Sequence, residues 1–340
     1  MKKIVTFGEI MLRLQTPGYK RFKQAQELEM TFGGGEANVA VSLAGYGMDA
    51  SFVTKMPSNA IGDACVAELK KYDVDTKNIT RGGDRLGIYF VEKGASQRAS
   101  TVLYDRAHSA IAEAKSEDFD WAKIFEGADW FHFTGITPAL SDGCAQLCLE
   151  ACKAAKAAGA QISCDLNFRK KLWTSEKAGK VMGGLMEYVD VLIANEEDAE
   201  KVFGIKASGT DITSGTISDE GYKDVARQLV DKFGVKKVAI TLRESISASV
   251  NNWAAMLYDG KDFYKSKKYT INIVDRVGGG DSFGGGLIYA LLSDYSMQDT
   301  IEFAVAASCL KHSIEGDFNL MSVSEVKALA GGDGSGRVQR

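Results

Sequence analysis

The fold class predicted for this chain is α/β: a mostly parallel sheet covered by helices on both faces, with a small β-sheet lid. Three observations predict it. Short apolar runs with strand character alternate with longer helical stretches along most of the 340 residues. Two segments, 11–31 and 85–105, break that alternation. The composition, 45% hydrophobic and 25% charged, is that of a globular domain large enough to bury a sizeable core.

The strand candidates are Ile4–Phe7, Ser51–Thr54, Trp130–Phe133, Gln161–Asp165, Val189–Ala194, Lys237–Leu242 and Tyr269–Val274. Helical periodicity marks Glu36–Tyr46, Asp142–Ala158, Glu197–Phe203, Tyr222–Phe233 and Asp281–Leu292. The segment 85–105 reads as a hairpin, Leu86–Glu92 and Ala99–Tyr104 around Lys93-Gly94-Ala95, and with 11–31 it makes the lid. One core is expected over 1–330 with both lid segments inserted. A Ser/Thr/Gly/Asp-rich surface loop is expected over 207–221, and a flexible C-terminal tail over 331–340.

A formal net charge of −4 without a basic block argues against nucleic acid as partner. No apolar run approaches a bilayer span, and the N-terminus is too short and strand-like for a signal peptide, so no membrane partner and a cytoplasmic location are expected. Cys144, Cys148 and Cys152 recur every four residues on one helix face and read as core packing, not as a metal site. His132, inside Trp130-Phe131-His132-Phe133, reads as a core histidine.

Ligands of an open parallel sheet bind beyond the carboxyl ends of its strands. Polar residues collect there: Gly8 and Glu9, Thr134 and Gly135, Asn167 and Arg169, Asn195 to Asp198, Arg243 and Glu244 in a loop after Leu242, and Asp275 to Asp281. Gly278-Gly279-Gly280-Asp281 opens a helix. Bare N–H groups and the positive helix end suit a transferring phosphoryl group, and Asp281 stands where it could take a proton from an attacking hydroxyl. The competing reading is a glycine turn with Asp281 as helix cap. Gly33-Gly34-Gly35 also precedes a helix, with Asn38 in its first turn, but the pattern is not a dinucleotide fingerprint, which disfavours a dehydrogenase. There is no P-loop sequence.

Gly33-Gly34, Asn38, Asn195-Glu196-Glu197-Asp198 and Gly278-Gly279-Gly280-Asp281, in that order over nearly the whole chain, resemble the PfkB (ribokinase-like) carbohydrate kinases. The resemblance implies a three-layer ribokinase-like core, a lid over the sugar, ATP with Mg²⁺, Asp281 as general base, Gly278 to Gly280 as anion hole, and a homo-oligomer formed through the lid. A monovalent cation is a further candidate cofactor. ATP is expected along the strand ends at Asn167, Asn195, Thr241, Arg243, Gly278 and Gly280, with Glu197 or Asp198 organising the water shell of the metal.

Closer similarity is to the kinases of 2-keto-3-deoxygluconate, through Gly87-Ile88-Tyr89-Phe90, Tyr104-Asp105-Arg106, Asp165-Leu166-Asn167-Phe168-Arg169 and 311–319. It implies a substrate pocket at Gly34, Gly35, Asn38, Tyr89, Tyr104, Arg106, Arg169 and Asp317. A guanidinium such as Arg106 or Arg169 can hold a carboxylate on two donors. The alternative for Arg106 is a surface ion pair with Asp105 or Glu92. Neutral-sugar kinases of the family often carry Asp where this chain has Arg13. A sugar acid is therefore the expected substrate, 2-keto-3-deoxygluconate above others. A neutral-sugar kinase, and a binding protein that kept the fold without catalysis, are the alternatives.

Overall fold

The structure is a computed structural model describing residues 1–206 and 219–336. Its main sheet contains β1 (Lys3–Phe7), β4 (Asp49–Met56), β5 (Ile79–Arg81), β8 (Trp130–Thr134), β9 (Gln161–Asp165), β10 (Val191–Ala194), β11 (Lys237–Ser245), β12 (Val250–Tyr258), β13 (Phe263–Lys265) and β14 (Tyr269–Asn272). The order is β13-β12-β11-β10-β9-β8-β1-β4-β5, with β14 also on β12. Pairing is parallel from β5 to β11 and antiparallel beyond β11.

The strands are apolar on both faces because both are covered. Val5, Phe7, Phe131, Phe133, Ile162, Cys164, Leu192 and Ala194 pack toward α3 (Trp121–Ile124), α4 (Asp142–Ala157), α5 (Ser175–Met186), α6 (Glu196–Phe203) and α7 (Asp219–Phe233). Ile4, Phe52, Trp130, Ile193 and Ala239 pack toward α1 (Gly35–Gly45), α2 (Ala60–Lys71), α8 (Gly279–Leu292) and α9 (Met297–Lys311), while α10 (Val323–Ala330) docks on α9. Cys144, Cys148 and Cys152 are all buried in the first layer, where burial pushes the Cys144 thiol up to about 11. His132 is equally buried, touches Ser163 Oγ at 2.8 Å, and is held neutral by burial, its pKa down to about 3.

The second sheet is the lid. It runs β3 (Glu29–Gly33), β2 (Met11–Gln15), β6 (Gly87–Glu92), β7 (Thr101–Asp105). Two antiparallel pairs, β2–β3 and β6–β7, are joined by a parallel β2–β6 seam.

Two expectations change, and the tail falls partly outside the described residues. Arg243, Glu244 and Ser245 form no loop: they continue β11 and pair with Trp253, Asn252 and Asn251 of β12, a strand the alternation rule misses because it returns as a hairpin. Residues 219–221, expected in a loop, begin α7, and 207–218 lie outside the described residues. Of the expected tail, 337–340 lie outside them too; 331–336 form a turn after α10.

Candidate active site

A glycine turn leads into α8. Gly278 sits at φ +83°, and a Cβ there would stand 2.0 Å from the Asp317 carbonyl oxygen, so only glycine fits. The Gly278 carbonyl accepts from Ser282 N at 2.8 Å, and Gly279 N reaches the Arg276 carbonyl at 3.4 Å. The N–H groups of Gly278, Gly280 and Asp281 meet no acceptor among the described residues. These donors lie at the positive end of a 14-residue helix, an arrangement that can hold an anion.

Asp281 stands in the first turn of α8, partly exposed. Its Oδ2 accepts from Asn38 Nδ2 at 2.6 Å, and Asn38 Oδ1 accepts from Gly34 N at 3.2 Å. Asn38 thus ties the first glycine run to Asp281. Burial raises the Asp281 carboxyl to about 6, with Asp317 adding to the rise, while the Asn38 hydrogen bond and the Arg169 and Lys311 charges oppose it. A carboxyl poised there accepts protons near neutral pH. Gly35 lies close by: a Cβ on it would meet Asp281 Oδ1 at 3.6 Å.

A buried ionic bridge joins lid and core. Arg13 of β2 is 1% exposed and donates to Asp317, Asp275 and Gln15. Tyr89 of β6 donates to Asp317 Oδ2 at 2.6 Å. Asp317 therefore ties lid to core with one donor on each carboxylate oxygen. Arg13 braces the lid and faces no open space. Lys311, fully buried, ties the same loops through the Gly316 carbonyl at 2.6 Å.

Arg106 also differs from expectation. Its Nε donates to Glu9 Oε2 at 2.7 Å, Nη2 donates to the same oxygen, and Ser109 Oγ donates to Glu9 Oε1. Neither foreseen partner is used: Asp105 pairs with Arg85, and Glu92 with Arg21 and Arg98. Glu9, 3% exposed, is named above only as a sheet-edge group after β1 and is given no partner by the sequence reading. Tyr104 is 47% exposed, stacks on Tyr89 at 6.1 Å, and carries Arg106 over its ring at 5.4 Å.

Arg169 is exposed and has no ion pair among the described residues, yet its charge reaches both Asp165 and Asp281. Asn167, at φ +36°, turns the chain between Asp165 and Arg169. Asp198 is buried and accepts from Phe168 N at 3.1 Å, whereas Glu197 is exposed. The Asn195 side-chain oxygen caps α6 at Asp198 N (2.7 Å), which leaves only its amide for a ligand. Thr241 lies within β11 opposite Ala255. Burial, then Asp198 and then Asp281, hold Asp165 well above the usual carboxylate range. Oxygen ligands crowded in this way suit a hard cation. Among the described residues no three acidic, His or Cys side chains converge as a closed cage.

The profile of the pfkB family carbohydrate kinases matches residues 1–320. The chain belongs to this family. Of solved structures, the 2-dehydro-3-deoxygluconokinase of Thermotoga maritima superposes with a TM-score of 0.94 at 55% identity, covering 97% of this chain and 98% of that one. A PfkB family carbohydrate kinase from Listeria grayi gives 0.90 at 36% identity, covering 97% and 100%. The 2-dehydro-3-deoxygalactonokinase of Haloferax volcanii is 30% identical over 332 residues, 97% of this chain and 98% of the relative. No described helix is long and apolar enough to cross a membrane.

Proposed function

We propose that this pfkB-family kinase transfers the γ-phosphoryl group of ATP to the terminal hydroxyl of 2-keto-3-deoxygluconate, giving the 6-phosphate. One observation carries the reading: Asp281, its pKa near 6, stands beside unbonded N–H groups at the start of α8. Asn38 holds one carboxylate oxygen, and the other takes the proton of the attacking hydroxyl. The N–H groups of Gly278, Gly280 and Asp281 stabilise charge on the transferring group, each donor worth roughly 3 kcal/mol. Gly34, Gly35, Tyr89 and Tyr104 shape the sugar side.

The carboxylate of the substrate takes the unpaired Arg169 and the guanidinium nitrogen that Arg106 does not spend on Glu9. The names of the Thermotoga and Haloferax relatives, both 2-dehydro-3-deoxy sugar-acid kinases, support an acid of this class. Nucleotide contacts fall to the Asn167 and Asn195 amides, Thr241 and Arg243. Asp165 and Asp198 fit Mg²⁺ through its waters, and the metal bound with the nucleotide supplies neutralisation of phosphate charge. We place this ATP-consuming chemistry in the cytoplasm.

The lid also exposes Met30 (51%) and Leu103 (50%), and this face is proposed to pair with a second copy of the chain. Light scattering on Leu103→Glu tests that pairing, and a potassium titration of the assay tests the monovalent cation. The substrate reading is tested by a phosphorylation screen with ATP and Mg²⁺ over 2-keto-3-deoxygluconate, 2-keto-3-deoxygalactonate, fructose and ribose. The keto-deoxy acids are expected to react at least about tenfold more efficiently, the loss typical when a buried polar group goes unpaired. Faster turnover of fructose or ribose would sink the substrate assignment.

A further inference from the structure

Beside the glycine turn, two buried polar groups lack partners among the described residues. Arg276 precedes the turn: its Nη2 donates to the Ala248 carbonyl at 3.1 Å, but its buried Nε finds no acceptor among the described residues. Trp253 is 6% exposed, and its buried Nε1 is equally without a partner. The Trp253 ring lies 5.1 Å from that of His312. His312 in turn underlies the turn, since a Cβ on Gly279 would stand 2.3 Å from its ring. Arg243, opposite Trp253 across the β11–β12 hairpin, completes the group and has no ion pair among the described residues.

The nearby carboxylates are already committed. Asp275 accepts from Arg13, Gly316 N and Val277 N. Glu244 pairs with Lys268 and Asn252. Burial, and then the Arg243 charge, lower the Arg276 pKa against the opposing Asp275 charge, so the two guanidiniums repel each other. Like charges placed together and partly buried cost free energy unless an anion compensates them. The donors assembled here exceed what one carboxylate can accept, and they match the many oxygens of a polyphosphate.

We infer that Arg276 and Arg243 form a cationic clamp for the phosphate tail of the nucleotide, beside the free N–H groups of the glycine turn. The inference rests on the ATP-dependent reading above and adds a residue, Arg276, that faces the phosphates. Arg106 and Arg169 serve the sugar side, at the lid and after β9. Arg276 and Arg243 serve the nucleotide side, separated from them in the sheet by β10.

The test is calorimetric titration of ATP, AMP, inorganic tripolyphosphate and the sugar acid into wild type, Arg276→Met and Arg243→Met, each at low and high salt. Each variant is expected to weaken ATP and tripolyphosphate by about tenfold or more at low salt, less at high salt, and to leave AMP and the sugar acid within about twofold. Unchanged ATP and tripolyphosphate affinity in the variants overturns the clamp, as does equal loss of AMP or sugar acid. Arg243 is exposed, so Arg243→Met serves should Arg276→Met fail to fold. A wild type that phosphorylates normally beside unaffected variants rejects the clamp alone. A wild type that binds neither ATP nor tripolyphosphate rejects the kinase reading and the clamp with it.

Discussion

Gly33-Gly34-Gly35 leads into α1 and Gly278-Gly279-Gly280 into α8, and the two runs meet their surroundings differently. Around the first, space is filled. A Cβ on Gly33 would stand 2.0 Å from Asp317 Oδ2, one on Gly34 2.0 Å from the Glu9 carbonyl, and Gly34 N is bonded to Asn38. Around the second, donors are left over: Gly278 turns at φ +83°, a Cβ on Gly280 would meet nothing within 4 Å, and three N–H groups lack acceptors among the described residues. One run permits close packing between lid and core; the other keeps backbone dipoles open for a ligand. Asp317 touches both, its carboxylate at Gly33 and its carbonyl at Gly278, so the two meet at one residue.

The comparison is sharpened most by the residue the second run delivers. Asp281→Asn keeps the Asn38 contact but loses the base, and turnover is expected to fall about 10²–10⁴-fold. Steady-state kinetics beside circular dichroism would show this, and near-normal turnover would remove Asp281 from the proton-accepting role.

Next come the glycines themselves. Gly278→Ala strains a left-handed position and drives the loop off the Asp317 carbonyl, misplacing the donors, so turnover should drop about 10²-fold or more. Gly33→Ala instead pushes on the carboxylate that Arg13 and Tyr89 hold. Its main effect is expected in a urea titration, a loss of about 1–3 kcal/mol, with a smaller change in turnover than Gly278→Ala. If Gly33→Ala damaged turnover more than stability, the division between the two runs would be wrong.

Much of this division was legible in the sequence and part was not. The strand–helix alternation marked β1, β8, β9 and β10 because strands buried on both faces read as continuous apolar runs. The glycine turn at Gly278 was legible because three glycines stand at the start of a helical stretch, while the role of Asp281 had to be weighed against a helix cap. Partnerships between distant charges were not legible. Arg13 could not be matched to Asp275 and Asp317, about 260 to 300 residues away in sequence, nor Arg106 to Glu9, because a charge alone names no partner. Arg243 was misplaced in a loop since its hairpin partner β12 breaks the parallel alternation. The substrate class was readable only through resemblance, as a guanidinium fits a substrate carboxylate and an internal one equally well.

The smallest effect tests the link between the runs. Asp281 must be ionised to accept a proton, and its pKa stands near 6. The rate is therefore expected to rise with pH through about 6 and level off above it. Asn38 donates to the ionised carboxylate and so lowers that pKa against the opposing effect of burial. In Asn38→Ala this help is gone, protonation persists to higher pH, and the acid limb moves upward while much of the alkaline plateau survives. The Asp317 charge acts in the opposite sense, raising the Asp281 pKa, so Asp317→Asn should move the limb downward. Profiles of kcat/KM between pH 5 and pH 9 read both shifts. If the limb stayed in place in both variants, the titrating group would be something other than Asp281, and Asn38 would serve only to hold the first glycine run against α1.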